Sequence, residues 1–502
     1  MVMGPISDLR GLEQGGVSSS DVYKLYNNEQ AMTAQKSNLG VPVRGTIVSA
    51  IVLADDGVLV SNDIANLHLL LHLTKQYCSK YQVGLVPDKT KLLAFSNGPN
   101  DPTVQYAKLT CRISLYDQNM EVSKNAEHLG IIRSAGPGNM ANIMERLASH
   151  NKKLFSLLPA GLALHHHANP AAALKVEQIF ALPVLLSGLA ALVLTKPETD
   201  IISACYKNTL QRLMKLHEKT PECVVFFLAG SLPAQAILHL RQLSLFMMIC
   251  HLDGNPLKSL ALNTLIEARP SAKSWFQQIR DLCVQYELPH PISLLHSKPP
   301  KEMFKKLCKA KVHEYWHLKL SEAASLPSLE FLQPDFLSLS SPHPIWSSLV
   351  NVNSYQTKAA KIQALFISGR YRTERMCRFW SNNPDGFCLM DSCRGKNIYD
   401  DIYHIIVHCD SLSESRRRLR AFTKTYIEDK PEIAQIVSQY LNTEDEKVFM
   451  QFIIDCSVLA PVITAYQQFG QSIHEHLFRI TRTWCQTLHR DRLRMLGRFN
   501  RF

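Results

Sequence analysis

Two constellations in this chain have residue types and spacings that can do chemistry. The first is the adjacent pair Asp55 and Asp56, set between the apolar runs 47–53 and 57–60. Carboxylates projected from a hairpin tip can hold divalent metal against a nucleoside triphosphate. That chemistry uses two ions about 4 Å apart, which clamp the attacking and leaving oxygens. Alone, Asp-Asp-Gly is also an ordinary turn sequence. The second constellation is Cys388-x4-Cys393-x10-His404-x4-Cys409. Three thiolates and an imidazole form a closed tetrahedral set suited to zinc, and a closed set is structural because it keeps no open position. Each close pair can come from one turn or helix end, and Gly395 loosens the loop between them. Asp400 or Asp401 is placed to orient His404 from outside the ligand shell, and Cys377 competes as a ligand. The alternative is four unrelated residues, with Ile405, Ile406 and Val407 marking a core helix. The run His165-His166-His167 cannot face one ion from a helix, because neighbours point about 100° apart. A loop or exposed surface is the reading there.

The elements that must position these groups follow from periodicity. The apolar runs flanking Asp55 and Asp56 have strand character, and a helix is expected over 63–81. The turn cluster 97–103 precedes expected strands near 104–109 and 110–115. From about 136 the pattern becomes helical. Ile143, Leu147, Leu154 and Leu158 share one face of a helix over 142–158, and more helices are expected at 175–194, 201–216, 234–253 and 263–285. Residues 286–350 are rich in Pro and Ser, with one Lys-rich helix near 301–320. The fold class expected is α+β, with a hairpin-bearing region at 1–135, a helical region at 136–285, a connector at 286–360, a metal-binding knuckle with basic flanks at 361–420 and a helical region at 421–502.

The chain has 502 residues, 46% hydrophobic and 20% charged, which is a globular composition. Its net charge is +12, and the first 135 residues contribute none of it, with 12 basic and 12 acidic side chains. A basic excess confined to the downstream part suits segments that hold a nucleic-acid backbone, and equally a merely solubilising surface. Arg372, Arg375, Arg416 and Arg417 flank the knuckle and are the expected phosphate contacts. Thirteen cysteines, an odd number, and a polar, Gly-rich start without an apolar core point to an intracellular setting, nucleus or cytoplasm. The most apolar stretch, 179–194, holds Pro183 and Gly188 and falls short of the roughly 20 residues a bilayer needs. It reads as a buried helix, and no membrane partner is expected.

Four segments stand in order: Leu12-Glu13-Gln14-Gly15-Gly16-Val17-Ser18-Ser19-Ser20, then Leu53-Ala54-Asp55-Asp56, then Pro87-Asp88-Lys89-Thr90-Lys91-Leu92, then Glu127-His128-Leu129-Gly130-Ile131. This order and spacing resembles the palm of reverse transcriptases from non-LTR (LINE-type) retrotransposons, over residues 9–133. The downstream stretch resembles, through less specific patterns, the thumb and C-terminal Cys/His knuckle of such frames, including Gly386-Phe387-Cys388. The resemblance implies RNA-directed DNA polymerase chemistry on an RNA template and a DNA primer or target, with dNTPs and Mg²⁺. Asp55 would be the metal-ligating acid and Asp56 its neighbour. Gln14 and Gly15 would contact the incoming nucleotide and template, Lys89 would lie near the triphosphate, and Leu129 and Gly130 would grip the primer.

A two-metal palm also needs an aspartate from an earlier strand, and only 13 residues precede Gln14 here. Preorganised charge is usually the largest catalytic contribution. The chain alone is therefore expected not to polymerise, and the other expectation is a non-catalytic, zinc-containing RNA/DNA-binding protein derived from such an element.

Overall fold

The structure is a computed structural model. It describes residues 19–53, 56–95, 113–116, 118–120, 122–136, 138–159, 169–267, 274–349, 354–379, 383–459 and 470–498. Gln14, Gly15, Asp55, Trp380, the His165–His167 run and the expected strand at 104–109 lie outside the described residues.

The chain is mostly helical, with small hairpins, and fits the α+β class. Helix α1 (Ser19–Lys36) precedes two hairpins, β1 (Val41–Val43) with β2 (Thr46–Val48), and β3 (Ala50–Leu53) with β4 (Asp56–Leu59). Helix α2 (Ile64–Tyr81) follows. Strands β5 (Leu92–Leu93) and β8 (Val122–Ser123) pair in parallel, while β6 (Ser114–Leu115) pairs with β7 (Gln118–Asn119), and β9 (Asn125–His128) with β10 (Ile131–Ser134), antiparallel. Thereafter come α3 (Met140–Leu157), α4 (Pro170–Val176), α5 (Leu182–Leu185), α6 (Lys196–Met214), α7 (Glu222–Ala229), α8 (Ala234–Cys250), α9 (Pro256–Glu267), α10 (Trp275–Gln285), α11 (Pro291–Ser297) and α12 (Lys301–Ala323). The C-terminal helices are α13 (Pro344–Ser347), α14 (Ser354–Ile367), α15 (Glu374–Cys377), α16 (Ser413–Ile427), α17 (Pro431–Leu441), α18 (Glu446–Ile454) and α19 (Gly470–Met495).

The single helix expected over 175–194 is instead broken. A π turn, Glu177–Ala181, separates α4 from α5. Pro183 lacks the N–H a continuing helix would use, and Gly188 turns the chain at φ +73°. Ile179 and Phe180 are about half exposed, so the apolar stretch is not uniformly buried. Among the described residues, no single helix is long and apolar enough to cross a membrane.

The chain divides into two compact units. The first comprises Met1–Glu145, Gly188–Glu198 and Arg241–Lys305. In it the β3–β4 hairpin is in register from Ala50↔Leu59 to Leu53↔Asp56. Helix α1 packs on β3 and α2 on β4. Asp63 starts α2 by accepting the Ala65 N–H at 2.9 Å, the N-cap role its short carboxylate suits. Buried Ile113 gathers Ile64, Leu67, Leu71, Leu92 and Val122 around it, so α2 and the short strands share one small core.

The second unit comprises Arg146–Ser187, Thr199–Leu240 and Lys306–Phe502. Its C-terminal part is built around α19, which packs against α14, α16, α17 and α18. Trp484 is fully buried and donates its indole N–H to Thr423 Oγ1 at 3.0 Å, which satisfies its one polar atom. Gln363 crosses from α14 to donate to the Ile454 carbonyl at 2.9 Å and to Thr481 Oγ1 at 3.0 Å. Residues 286–360, read from sequence as a connector, include α12, α13 and the fully buried Trp346.

Helix α7 ends at Gly230, whose φ is +59°. A Cβ there would lie 1.7 Å from the Ser341 carbonyl oxygen. Gly230→Ala thus meets both a strained backbone and an immovable neighbour. We expect it to destabilise the second unit by more than about 2 kcal/mol, read as a lowered midpoint in thermal or urea unfolding.

Candidate metal centre

Local backbone geometry gathers the four predicted ligands in the second unit. Phe387 and Tyr399 form an antiparallel bridge. The Cys388 N–H donates to the Ile398 carbonyl at 2.8 Å, and the Asp400 N–H to the Gly386 carbonyl at 3.0 Å. This short clip fixes Cys388. Gly386 sits at φ +71°, where a Cβ would lie 2.7 Å from Arg375 Cα, so only glycine fits. Cys393 closes a 3₁₀ turn, Asp391–Cys393, and the loop beyond it passes through left-handed Gly395 and Asn397.

His404 and Cys409 come together through a π turn, His404–His408. The Cys409 N–H donates to the His404 carbonyl at 2.7 Å, an i to i+5 bond. In a regular α-helix, residues five apart point about 140° from each other. The wider π turn and the extended backbone at Cys409 (ψ 114°) bring both side chains to one point. The expected core helix through 405–407 is therefore this turn, with Ile405 and Ile406 buried behind it.

Cys388, Cys393, His404 and Cys409 are all buried, and their ligand atoms lie within 4.8 Å of one another. Cys393 Sγ is 3.8 Å from Cys409 Sγ and 3.4 Å from His404 Nε2. A tetrahedral ion about 2.3 Å from sulfur and about 2.0–2.1 Å from nitrogen requires edges of about 3.8 Å and about 3.5 Å. A disulfide would instead need about 2.05 Å between sulfurs. The donor set thus fits a metal ion. Without a cation, the hydrogen bond with Cys409 and then burial push the Cys388 thiol up to about 12, and the same bond lowers Cys409. A bound cation would let all three sulfurs be thiolates.

The surroundings correct the expected outer contacts. Neither Asp400 nor Asp401 accepts from the His404 ring, whose Nδ1 is buried without a hydrogen-bond partner. Asp401 instead caps the turn, accepting the His404 backbone N–H at 2.9 Å and pairing with Arg375 at 2.9 Å. Asp400, almost fully buried, accepts the Glu374 N–H at 2.6 Å and pairs with Arg492 of α19 at 2.5 Å. Arg492 is itself only 3% exposed. Cys377 lies outside the four-residue group. A depression of about 290 Å³ adjoins Cys393 and His404, lined also by Tyr399, Tyr403, Asp401 and Asp410.

The expected phosphate contacts have mixed settings. Arg372 is exposed on the surface. Arg375 is exposed but paired, with its guanidinium 4.8 Å from the Tyr399 ring centre. Arg417 forms a bidentate pair with Glu414 at 2.8 and 2.9 Å. Arg416 is half-buried and donates to the Cys409 carbonyl at 2.8 Å, so it supports the ligand loop.

In the first unit, Asp56 is exposed at the start of β4, opposite Leu53. Lys89 is exposed at the end of a 3₁₀ turn, Pro87–Lys89. Leu129 and Gly130 form the turn between β9 and β10, both with positive φ (52° and 73°), as a two-residue hairpin of matching twist requires. Sequence reasoning missed the Asp400–Arg492 pair and a second group, His150, Glu177 and Cys205. A π turn has no sequence signature, and pairs this far apart leave no local spacing to read. Compared with known proteins, the chain matches no family model, no curated protein and no solved structure.

Elemental analysis should find about one metal ion per chain. Cys393→Ser should abolish it and lower the thermal midpoint of the second unit. Ion uptake should release protons, because the ligands must be deprotonated, and affinity should fall as pH falls. Unchanged metal content in Cys393→Ser would exclude this ligand set.

Proposed function

We propose that this chain is part of a LINE-type reverse transcriptase whose C-terminal region binds RNA or DNA around a zinc-closed knuckle. The observation that carries the reading is the buried Cys388/Cys393/His404/Cys409 group. Three sulfurs and one imidazole with tetrahedral edges favour zinc over hard cations, which take oxygen ligands. The set is closed, so the ion's role is structural. It would hold a surface that carries Arg372, Arg375 and Tyr399, whose guanidinium and ring groups suit phosphate and stacked bases.

The polymerase half of the reading rests on the four ordered motifs and on the β3–β4 hairpin. That hairpin ends at Leu53 and Asp56 and is backed by α1 and α2. In an assembled site Asp55 would hold Mg²⁺, Gln14, Gly15 and Lys89 would contact template and triphosphate, and Leu129 with Gly130 would hold the primer end. A second reading is non-catalytic binding by a derivative of such an element. It is favoured by the hairpin's being a two-stranded sheet, with no third strand paired to it among the described residues.

Binding and turnover separate the two. Filter binding to single-stranded RNA should show log K falling with log salt by about 0.7 per neutralised phosphate, and Arg372→Ala should weaken binding across all sequences and reduce that slope by about 0.7. Chelation of zinc should abolish binding. Template-dependent DNA synthesis that is lost in Asp55→Ala would establish the polymerase reading and overturn the expectation that the chain alone does not polymerise; binding without synthesis, unaltered in Asp55→Ala, is the outcome the second reading requires. Salt-insensitive or absent binding would overturn both.

A further inference from the structure

Outside the metal centre, one buried group of reactive side chains has no part in the function proposed above. His150 on α3, Glu177 on the π turn after α4, and Cys205 on α6 meet in a line within the second unit. Cys205 Sγ lies 3.8 Å from His150 Nδ1, and His150 Nε2 lies 3.6 Å from Glu177 Oε1. His150 and Glu177 are fully buried, whereas Cys205 is partly exposed. Neither Glu177 oxygen has a hydrogen-bond partner, which leaves the imidazole as the nearby counter-group.

For stability alone this is a poor arrangement. A buried carboxylate paired through one long contact costs several kcal/mol against an apolar replacement. Glu177 is delivered by an inserted residue in its helix, and such π turns occur frequently at functional sites. The other π turn among the described residues carries His404. The order thiol, imidazole, carboxylate is that of an activated nucleophile, its base and the group that orients the base.

We infer that Cys205 is a reactive thiol, deprotonated by His150 and positioned through Glu177, which forms mixed disulfides with small disulfides such as glutathione disulfide. His150 Nδ1 takes the thiol proton while Nε2–H points to the Glu177 carboxylate. The Cys205 thiolate attacks one sulfur of the disulfide. The S–S bond breaks as the new one forms, and the departing thiolate takes its proton back from the imidazolium or from water. Cys205 is oxidised to the mixed disulfide and the departing sulfur is reduced to a thiol, so the electrons balance between the two without a further reagent.

Charge supports the geometry. Burial alone weakens an imidazole's hold on a proton, yet the contacts with Cys205 and Glu177 outweigh it and bring His150 up to about 9. Burial pushes the Glu177 carboxyl up, against the pull of His150. The groups facing the imidazole are the Cys205 thiol and the Glu177 carboxyl, with the Tyr206 phenol of α6 beyond Glu177.

Cys377 provides an internal reference, because it and Cys205 are the two described cysteines that are not buried. The full zinc-loaded chain is treated with glutathione disulfide, and separately with iodoacetamide, and each cysteine peptide is quantified by mass spectrometry. At pH 7 Cys205 should react at least about tenfold faster than Cys377. Its rate should also stay high below pH 8, where an ordinary thiol with a pKa near 8.5 slows in step with proton uptake. Glu177→Gln should slow Cys205 about tenfold and leave Cys377 unchanged. Should that variant fail to fold, the parent chain's two pH profiles decide the matter. Equal rates and superimposable profiles for the two thiols would overturn the proposal, as would an unaltered Cys205 rate in folded Glu177→Gln.

Discussion

Three sulfurs and an imidazole held within 4.8 Å of one another set the main constraint on the C-terminal part of this protein. Thiolates so close repel, and thiols so buried make poor hydrogen-bonding neighbours. A divalent cation resolves both problems at once. Much of the nearby backbone exists to keep that cluster in place. The 386–388 and 398–400 clip, the 3₁₀ turn at Cys393 and the π turn at His404 each fix one ligand or pair. Arg416 then ties the last ligand's carbonyl to α16.

The knuckle is joined to its helical support through a second, ionic constraint. Asp400 and Arg492 are both nearly excluded from water, and each carries further hydrogen bonds. A buried pair of this kind adds little compared with an apolar contact, but losing one partner strands the other and costs about 3–5 kcal/mol. Its value is directional. It sets the ligand loop at one place along α19, where Arg492 also lies 5.8 Å from the Tyr371 ring centre.

The sequence was most legible where chemistry is local. Alternating and 3.6-residue patterns located the β3–β4 hairpin and helices such as α2, α6 and α12 within a few residues, because backbone periodicity decides them. The grouping of Cys388, Cys393, His404 and Cys409 was readable because Cys and His at short spacings have few other reasons to cluster. What stayed hidden depends on distant partners or on an inserted residue. The helix expected over 175–194 was interrupted by Pro183 and Gly188, whose effect needed the π turn to explain it. Arg416 looked like a free cation in an Arg-rich run, and only its carbonyl partner reveals a supporting role. His150, Glu177 and Cys205 come from three separate helical segments, so no spacing could announce them.

The distance along the chain between Asp400 and Arg492, 92 residues, has a bearing on biosynthesis. On the ribosome the cysteine-rich loop emerges well before the helix that anchors it. The nascent thiols are then open to any passing ion or oxidant, while the arginine that will pair with Asp400 is still untranslated. An ion bound during synthesis would thus reach all four side chains before the C-terminal helical assembly can close around them.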